Sequence, residues 1–341
     1  MKTIILNKPG EFQQISQEFD SQLADNQALI KIHRIGICGT DYHAFRGKQP
    51  FFSYPRVLGH ELGAEVLALG KGVDFTKIAI GDKVSVEPYL NCGYCQACEN
   101  GKPNCCENLK VLGVHTDGGM CEFLKIDAKK LHRSTKLTYE QLALVETLGI
   151  GSHAVQRANV AENDLVLVVG AGPIGLSVIQ FAKIKNAKIA VMDFSEQRLD
   201  FAKETFGIDY KILAKPDFSV DDLRKILGGK LPIIIFDATG NPASMMKAFS
   251  LAAFGGKIVF VGLFQGEVSF SDPDFHRREI TLFASRNALP DDFKNIICLM
   301  EEGKINTQAW ITHQADFDDL PNIFETWLEP NSKVIKAIVR V

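Results

Sequence analysis

Two tryptophans stand in 341 residues, and long apolar runs, blocks of one charge, internal repeats and low-complexity stretches are all missing. Each absence excludes something. No segment approaches the roughly eighteen consecutive apolar residues of a membrane helix. Thirty-eight basic side chains against 41 acidic ones leave a net charge of -3 with no basic patch along the chain. A nucleic-acid partner is therefore not expected. Met1–Gly10 is too short and too polar for a secretory leader, so the expected compartment is cytosolic. What remains is a hydrophobic content of 46% and a charged content of 23%, the balance of a globular protein long enough for two domains.

Cysteine is the residue that is not scarce. Of eight, Cys92, Cys95, Cys98, Cys105 and Cys106 crowd into fifteen positions. In a reducing compartment such a cluster reads as metal binding before it reads as disulfides. Cys92-x2-Cys95-x2-Cys98-x7-Cys106 offers four soft ligands on one loop, which suits a tetrahedral zinc. A ferredoxin cluster begins similarly but places its fourth cysteine three residues on, before proline. Four closed thiolates leave no place for substrate, so this zinc is expected to be structural and Cys105 a bystander.

Two rhythms divide the chain. Ala28–Ile37, Gly63–Leu69 and Asp82–Val86 are short β-rich segments separated by glycine and proline. Thr138 followed by Gln141 is a capping-box pattern that predicts a helix from Tyr139. After that, strands at Leu165–Val169, Lys188–Asp193, Ile233–Ala238 and Lys257–Leu263 alternate with helices at Ile174–Ile184, Glu196–Phe206 and Pro242 to about Gly255. Alternation of this kind predicts a parallel sheet covered on both faces. The tail predicts helices at Asp291–Glu302 and near Asp318–Leu328, then a strand at Val334–Val341. The expected organisation is a β-rich domain over 1–149, a doubly wound domain over 150–287, and a tail, 288–341, that returns to the first domain.

Gly170-Ala-Gly-Pro-Ile-Gly175 follows a strand and opens a helix, and Asp193 ends the next strand eighteen positions later. This context turns a common glycine pattern into a dinucleotide fingerprint. Gly170 permits the tight turn, Gly172 admits a pyrophosphate to the backbone, and Gly175 lets the helix pack close; Pro173 and Ile174 open that helix. Its N-terminus offers free N–H groups to phosphate. Asp193 suits the ribose hydroxyls of NAD(H) and opposes the 2′-phosphate of NADP. Arg198 either tolerates a phosphate or lies against adenine.

Gly36-Ile-Cys-Gly-Thr-Asp-Tyr-His43 and Gly59-His60-Glu61, taken with the cysteine lobe and the glycine loop, resemble the zinc-dependent medium-chain dehydrogenase superfamily over nearly the whole chain. The resemblance implies a GroES-like β-rich catalytic domain, a Rossmann domain, and an active site in the cleft between them. It implies two zincs per subunit and a homodimer or homotetramer. Cys38 and His60 resemble the first two ligands of the catalytic zinc. Glu146 matches the third ligand of the sorbitol dehydrogenase branch, and Glu61 resembles the glutamate that approaches the metal during ligand exchange. Which glutamate ligates the resting zinc stays open. Asp41 matches the carboxylate that orients the ligand histidine.

The chemistry is coherent on its own terms. One thiolate and one carboxylate nearly cancel the zinc charge and leave a Lewis acid that favours an anionic fourth ligand, such as a substrate alkoxide. Thr40 and His43 are suited to pass the released proton to solvent. The segments 47–59 and 271–288 resemble bacterial sugar-acid dehydrogenases of the L-galactonate type, so a polyol or sugar-acid substrate is expected. Sorbitol, galactitol-phosphate and threonine dehydrogenases share the framework. A substrate carboxylate needs a cation, for which Arg286 and Arg46 are the candidates, and Phe51 and Phe52 either wall the site or pack their loop. The rival classes are a zinc-free quinone reductase, which lacks Cys38, His60 and the lobe, and a non-catalytic NAD-bound regulator, which has no use for the Thr40–His43 pair.

Overall fold

The computed structural model describes residues 1–49, 52–329 and 331–341. The chain forms two compact units, Met1–Thr147 with Ala288–Val341, and Leu148–Asn287.

In the first unit, strand Gln27–Ile37 alternates between buried and partly exposed positions along much of its length, the period-two pattern of a sheet with one buried face. It pairs antiparallel with Glu61–Leu69, with Phe123–Asp127 and with the C-terminal strand Lys336–Arg340. The seven-stranded sheet runs Ile311–Asp316, Lys336–Arg340, Gln27–Ile37, Glu61–Leu69, Lys83–Val86, Leu131–Ser134, with Phe123–Asp127 beside the third. Ile30, Ile32, Ile35, Leu62, Ala64, Val66 and Val84 fill its core and are fully buried. The tail thus returns to the first domain by strand pairing. Helix Tyr139–Ala143 starts at the capping box of Thr138 and Gln141.

The second unit holds six parallel strands. Numbered along the chain as Leu165–Val169, Lys188–Asp193, Tyr210–Leu213, Ile234–Asp237, Lys257–Phe260 and Thr281–Ala284, they lie in the order 3-2-1-4-5-6. This is the doubly wound Rossmann order, with a switch point beside the first strand. Leu165–Val169 and Ile234–Asp237 are buried almost throughout because helices cover both faces, so they read as continuous apolar runs rather than alternation.

Local differences from the sequence reading have physical reasons. Strand Lys257–Phe260 stops short of Leu263 because a Cβ on Gly262 would stand 2.2 Å from the Gly240 amide nitrogen; two loops meet there. The region expected as one helix near 318–328 is a 3-10 turn at Phe317–Asp319, helix Leu320–Ile323 and a second 3-10 turn at Phe324–Leu328. The three-residue repeat of that turn brings Phe324 and Trp327 to the same side, and both are buried. Among the described residues no helix is long and apolar enough to cross a membrane.

Candidate metal centres and cofactor site

Strand Gln27–Ile37 ends where helix Gly39–Phe45 begins, with Cys38 at the junction. Asp41 Oδ2 accepts the Cys38 amide N–H at 2.8 Å and fixes the helix start. The neighbouring strand begins at Glu61, so His60 and Glu61 arrive beside Cys38 through pairing of Gly36 with Glu61. Ligand atoms of Cys38, His60 and Glu61 all lie within 4.8 Å of one another.

Several observations fit a cation there. His60, Asp41 and Glu61 are buried, at 4%, 0% and 0% exposure. Asp41 Oδ1 and His60 Nδ1 have no hydrogen-bond partner and stand 3.9 Å apart. Such buried groups are stable only when something pays their desolvation. Burial pushes the Asp41 carboxyl up, against the pull of His60. Burial also opposes charging of the His60 ring, yet Cys38 and Asp41 outweigh it and hold the imidazole well above its ordinary value. Thiolate, imidazole and carboxylate are the donor types of a catalytic zinc.

Lys336 is the group that sequence reasoning missed. The C-terminal strand places it next to Ile37, whose carbonyl accepts from Nζ at 3.1 Å. Nζ also donates to both Glu61 oxygens, at 2.7 and 2.8 Å. Its signal in the sequence is one cation inside the apolar run Val334-Ile-Lys-Ala-Ile-Val. Gly36 has a role as well: a Cβ there would stand 2.1 Å from Glu61 Oε2.

Glu146, expected as the third ligand, lies outside that donor group. It is buried, but its Oε1 accepts the hydroxyl of Tyr89 at 2.5 Å, and the group takes in Glu61 instead. Tyr89 too was missed; only its place just before the lobe marked it.

Thr40 Oγ1 accepts from the Cys38 thiol at 3.7 Å. His43 follows Thr40 by three residues on the same short helix, which puts the two on one face. His43 is exposed, and partial desolvation, Arg46 and Lys48 hold it below the ordinary histidine value. Arg46 is exposed and donates to the Leu328 carbonyl at 3.0 Å. Arg286, exposed, belongs to the second unit and has interactions of its own. Phe52 packs edge-on to Tyr54 and against the core, and Phe51 lies outside the described residues.

The ligand atoms of Cys92, Cys95, Cys98 and Cys106 also lie within 4.8 Å of one another, and exposed Cys105 stays out of the group. The Tyr94 amide N–H, first among several donors, draws Cys92 down to about 6. Burial pushes Cys106 up to about 11. Thiols that close compete for protons, and four of them gathered with backbone N–H groups around their sulfurs fit a closed tetrahedral zinc. The lobe is tied to the sheet: Asn91 Nδ2 donates to Cys98 Sγ at 3.7 Å, while Lys130 bridges Asn91 and buried Glu87.

In the second unit a cavity of about 450 Å³ is lined by Gly170, Gly172, Asp193, Arg198 and, unforeseen, Phe194, Ser195, Ala238 and Thr239. Gly170 has a φ of 97°, the left-handed region. A Cβ on Gly175 would stand 1.7 Å from the Gly170 carbonyl oxygen, so the helix from Pro173 can lie this close only with glycine. Above Gly172 the nearest side-chain atom is the Arg198 guanidinium, 3.7 Å from where a Cβ would be. Ile174 and Gly175 sit in the first turn, where N–H groups are free for an anion. Asp193 accepts from the Ala171 and Ser195 amides at 2.7 and 2.8 Å, which fixes its carboxylate at the loop. Backbone approach, helix N-terminus and a fixed acid together fit a dinucleotide.

Residues 24–136 match the family of alcohol dehydrogenase GroES-like domains, and residues 173–302 match the zinc-binding dehydrogenase family. An L-galactonate-5-dehydrogenase of Escherichia coli K12 is 42% identical over 339 residues, spanning 99% of this chain and 98% of its own. The starvation-sensing protein RspB of the same strain is 35% identical over 345 residues, 99% of each chain. A crystal structure of RspB from E. coli CFT073, described as an alcohol dehydrogenase in complex with NADH, matches with a TM-score of 0.92 and 31% identity, covering 100% of this chain and 99% of that one.

Proposed function

This chain belongs to the zinc-binding, GroES-like alcohol dehydrogenase family, and on that premise we propose that it oxidises a secondary alcohol of a sugar acid or polyol to the ketone. The protein is an NAD-dependent zinc alcohol or polyol dehydrogenase. The observation that carries the reading is the Cys38–His60–Glu61 donor set, its histidine and glutamate buried, in a chain that also holds the glycine loop 170–175 and Asp193 at the end of the next strand.

When bound, zinc supplies Lewis acidity toward the substrate hydroxyl and NAD supplies the hydride acceptor. The chain's own residues do the rest. Cys38, His60 and Glu61 hold the metal, and Asp41 sets the helix that carries Cys38. Thr40 takes the hydroxyl proton and His43, kept neutral near pH 7 by its surroundings, passes it to solvent. Gly170, Gly172 and Gly175 seat the pyrophosphate, and Asp193 selects the unphosphorylated ribose. Cys92, Cys95, Cys98 and Cys106 hold the second zinc, which contributes to folding.

Likeness to an L-galactonate-5-dehydrogenase supports an aldonate of that type as the substrate. Arg46 supports it too. Its guanidinium gives one N–H to Leu328 and acts electrostatically on His43, so it can meet a carboxylate beside the relay. The assembly we favour is a homodimer or homotetramer, which light scattering distinguishes from a monomer.

The deciding experiment is kcat/KM across L-galactonate, related aldonates, sorbitol, threonine and ethanol, followed at the NADH absorbance. A simple primary alcohol as best substrate sinks the polyol reading. Sorbitol ahead of every aldonate removes only the carboxylate part. A protein inert toward the whole panel, with both zincs bound, sinks the aldonate reading and sends the search to other secondary alcohols.

A further inference from the structure

Two buried glutamates stand near one metal position, and ligand number decides what such a position can do. Three protein ligands leave a place for substrate; a fourth closes the tetrahedron. Charge points the same way. The Cys38 thiolate and Glu61 already draw down the charge of a divalent zinc, and a second carboxylate on the metal would lower it further and weaken it as a Lewis acid.

Glu146 lies within electrostatic reach of His60, Glu61 and Lys336, yet its oxygens fall outside the donor group. A buried carboxylate within electrostatic reach of a cation site is drawn toward the cation, and a hydrogen bond that fixes it elsewhere opposes that pull. The holder is Tyr89, whose hydroxyl donates to Glu146 Oε1 at 2.5 Å. Tyr89 is itself firmly placed. It pairs with Val111 in the short ribbon Tyr89–Leu90/Lys110–Val111, and its ring meets Phe293 edge-on at 6.3 Å. Phe293 is fully buried and stacked by His132 at 4.8 Å, and His132 is hydrogen-bonded to buried Glu87. Tyr89 is 3% exposed and Glu146 5%, so water has little room to replace the bond.

We propose that Tyr89 is a positioning residue whose hydroxyl holds Glu146 off the catalytic metal, so that Cys38, His60 and Glu61 are the protein ligands and one coordination position stays open for substrate. The inference rests on the zinc reading above.

Tyr89→Phe keeps the ring and its packing and removes only the hydroxyl. The test loads cobalt in place of zinc and subtracts the spectrum of cobalt-loaded Cys38→Ala to remove the lobe's contribution. In Tyr89→Phe the released Glu146 joins the metal, so the visible ligand-field bands change in position and intensity with the coordination sphere. Chelator-driven release of the catalytic metal slows by about tenfold and kcat falls by about tenfold, with KM changing less. In a Glu146→Gln background Tyr89→Phe has no further effect on the spectrum or on kcat, because the carboxylate it acts through is gone. An unchanged spectrum with unchanged metal release overturns the inference and leaves the zinc reading standing. So does a loss of kcat that persists at full size in the Glu146→Gln background. If the difference spectrum shows no cobalt at the Cys38 site of the unsubstituted protein, the zinc reading itself fails, and this inference with it.

Discussion

Lys336 Nζ stands 2.7 and 2.8 Å from the two carboxylate oxygens of Glu61, and both side chains are buried beside Cys38. Glu61 is thus shared between a fixed ammonium and the metal position. Removing one partner of a buried pair leaves the other charge uncompensated, at a cost of about 3–5 kcal/mol. Lys336→Met is expected to lower the melting temperature of chelator-treated protein markedly, and that of zinc-loaded protein less, because the metal then faces Glu61. Lys336→Arg keeps a cation and should lose less. Equal melting temperatures for Lys336→Met and unsubstituted apo-protein would show the pair to be energetically idle.

Gly36 makes room for the same carboxylate. A Cβ 2.1 Å from Glu61 Oε2 forces the side chain to shift. Gly36→Ala is expected to weaken zinc at the Cys38 site by about tenfold or more in chelator competition. The lobe zinc should be retained, and a parallel loss of both zincs would point to general misfolding instead.

The lobe is expected to behave as a separate unit of stability. Cys95→Ser removes one of four thiolates, and since structural zinc binding is folding free energy, the loop 92–106 should become sensitive to protease. Asn91→Ala removes a donor to Cys98 and should speed zinc release by a smaller factor. Release kinetics identical to the unsubstituted protein would remove Asn91 from the account.

Cofactor choice follows Asp193. Asp193→Ser is expected to narrow the ratio of kcat/KM for NAD over NADP, since the repelling charge is gone. Gly175→Ala should abolish binding of either dinucleotide, because the Gly170 carbonyl lies 1.7 Å from the new Cβ and the loop must move. Steady-state kinetics with each cofactor checks the first, and calorimetric titration with NADH and NADPH the second. Equal preference for the two cofactors in the unsubstituted enzyme would refute the role given to Asp193.

The pH dependence of alcohol oxidation is expected to report His43. The ring lies below its ordinary value, through partial desolvation and the cations Arg46 and Lys48. A proton acceptor works in its neutral form, so the rate should fall on the acid side as His43 becomes charged. His43→Gln should flatten that acid limb and slow the reaction by about 10²-fold or less, since water can substitute in part. An unaltered profile returns His43 to the surface.

Patterns local in the chain were legible without coordinates. The cysteine spacing over 92–106 and the loop 170–175 each need only a short run of backbone, so spacing carries the geometry; the ordered Cys38, Thr40, Asp41, His43, His60 and Glu61 were legible through resemblance to a known family, and strand pairing brings the two halves together. The strands of the second unit were legible because a parallel sheet covered on both faces makes them uninterrupted apolar runs. Tertiary structure decided what depends on register between distant segments. Lys336 reaches Glu61 across 275 positions only because the C-terminal strand pairs antiparallel with Gln27–Ile37. Tyr89 reaches Glu146 across 57 because a two-residue ribbon and the ring of Phe293 fix it there. Two buried glutamates of like chemistry look equivalent in a sequence, and their hydrogen-bond partners, Lys336 for one and Tyr89 for the other, set them apart.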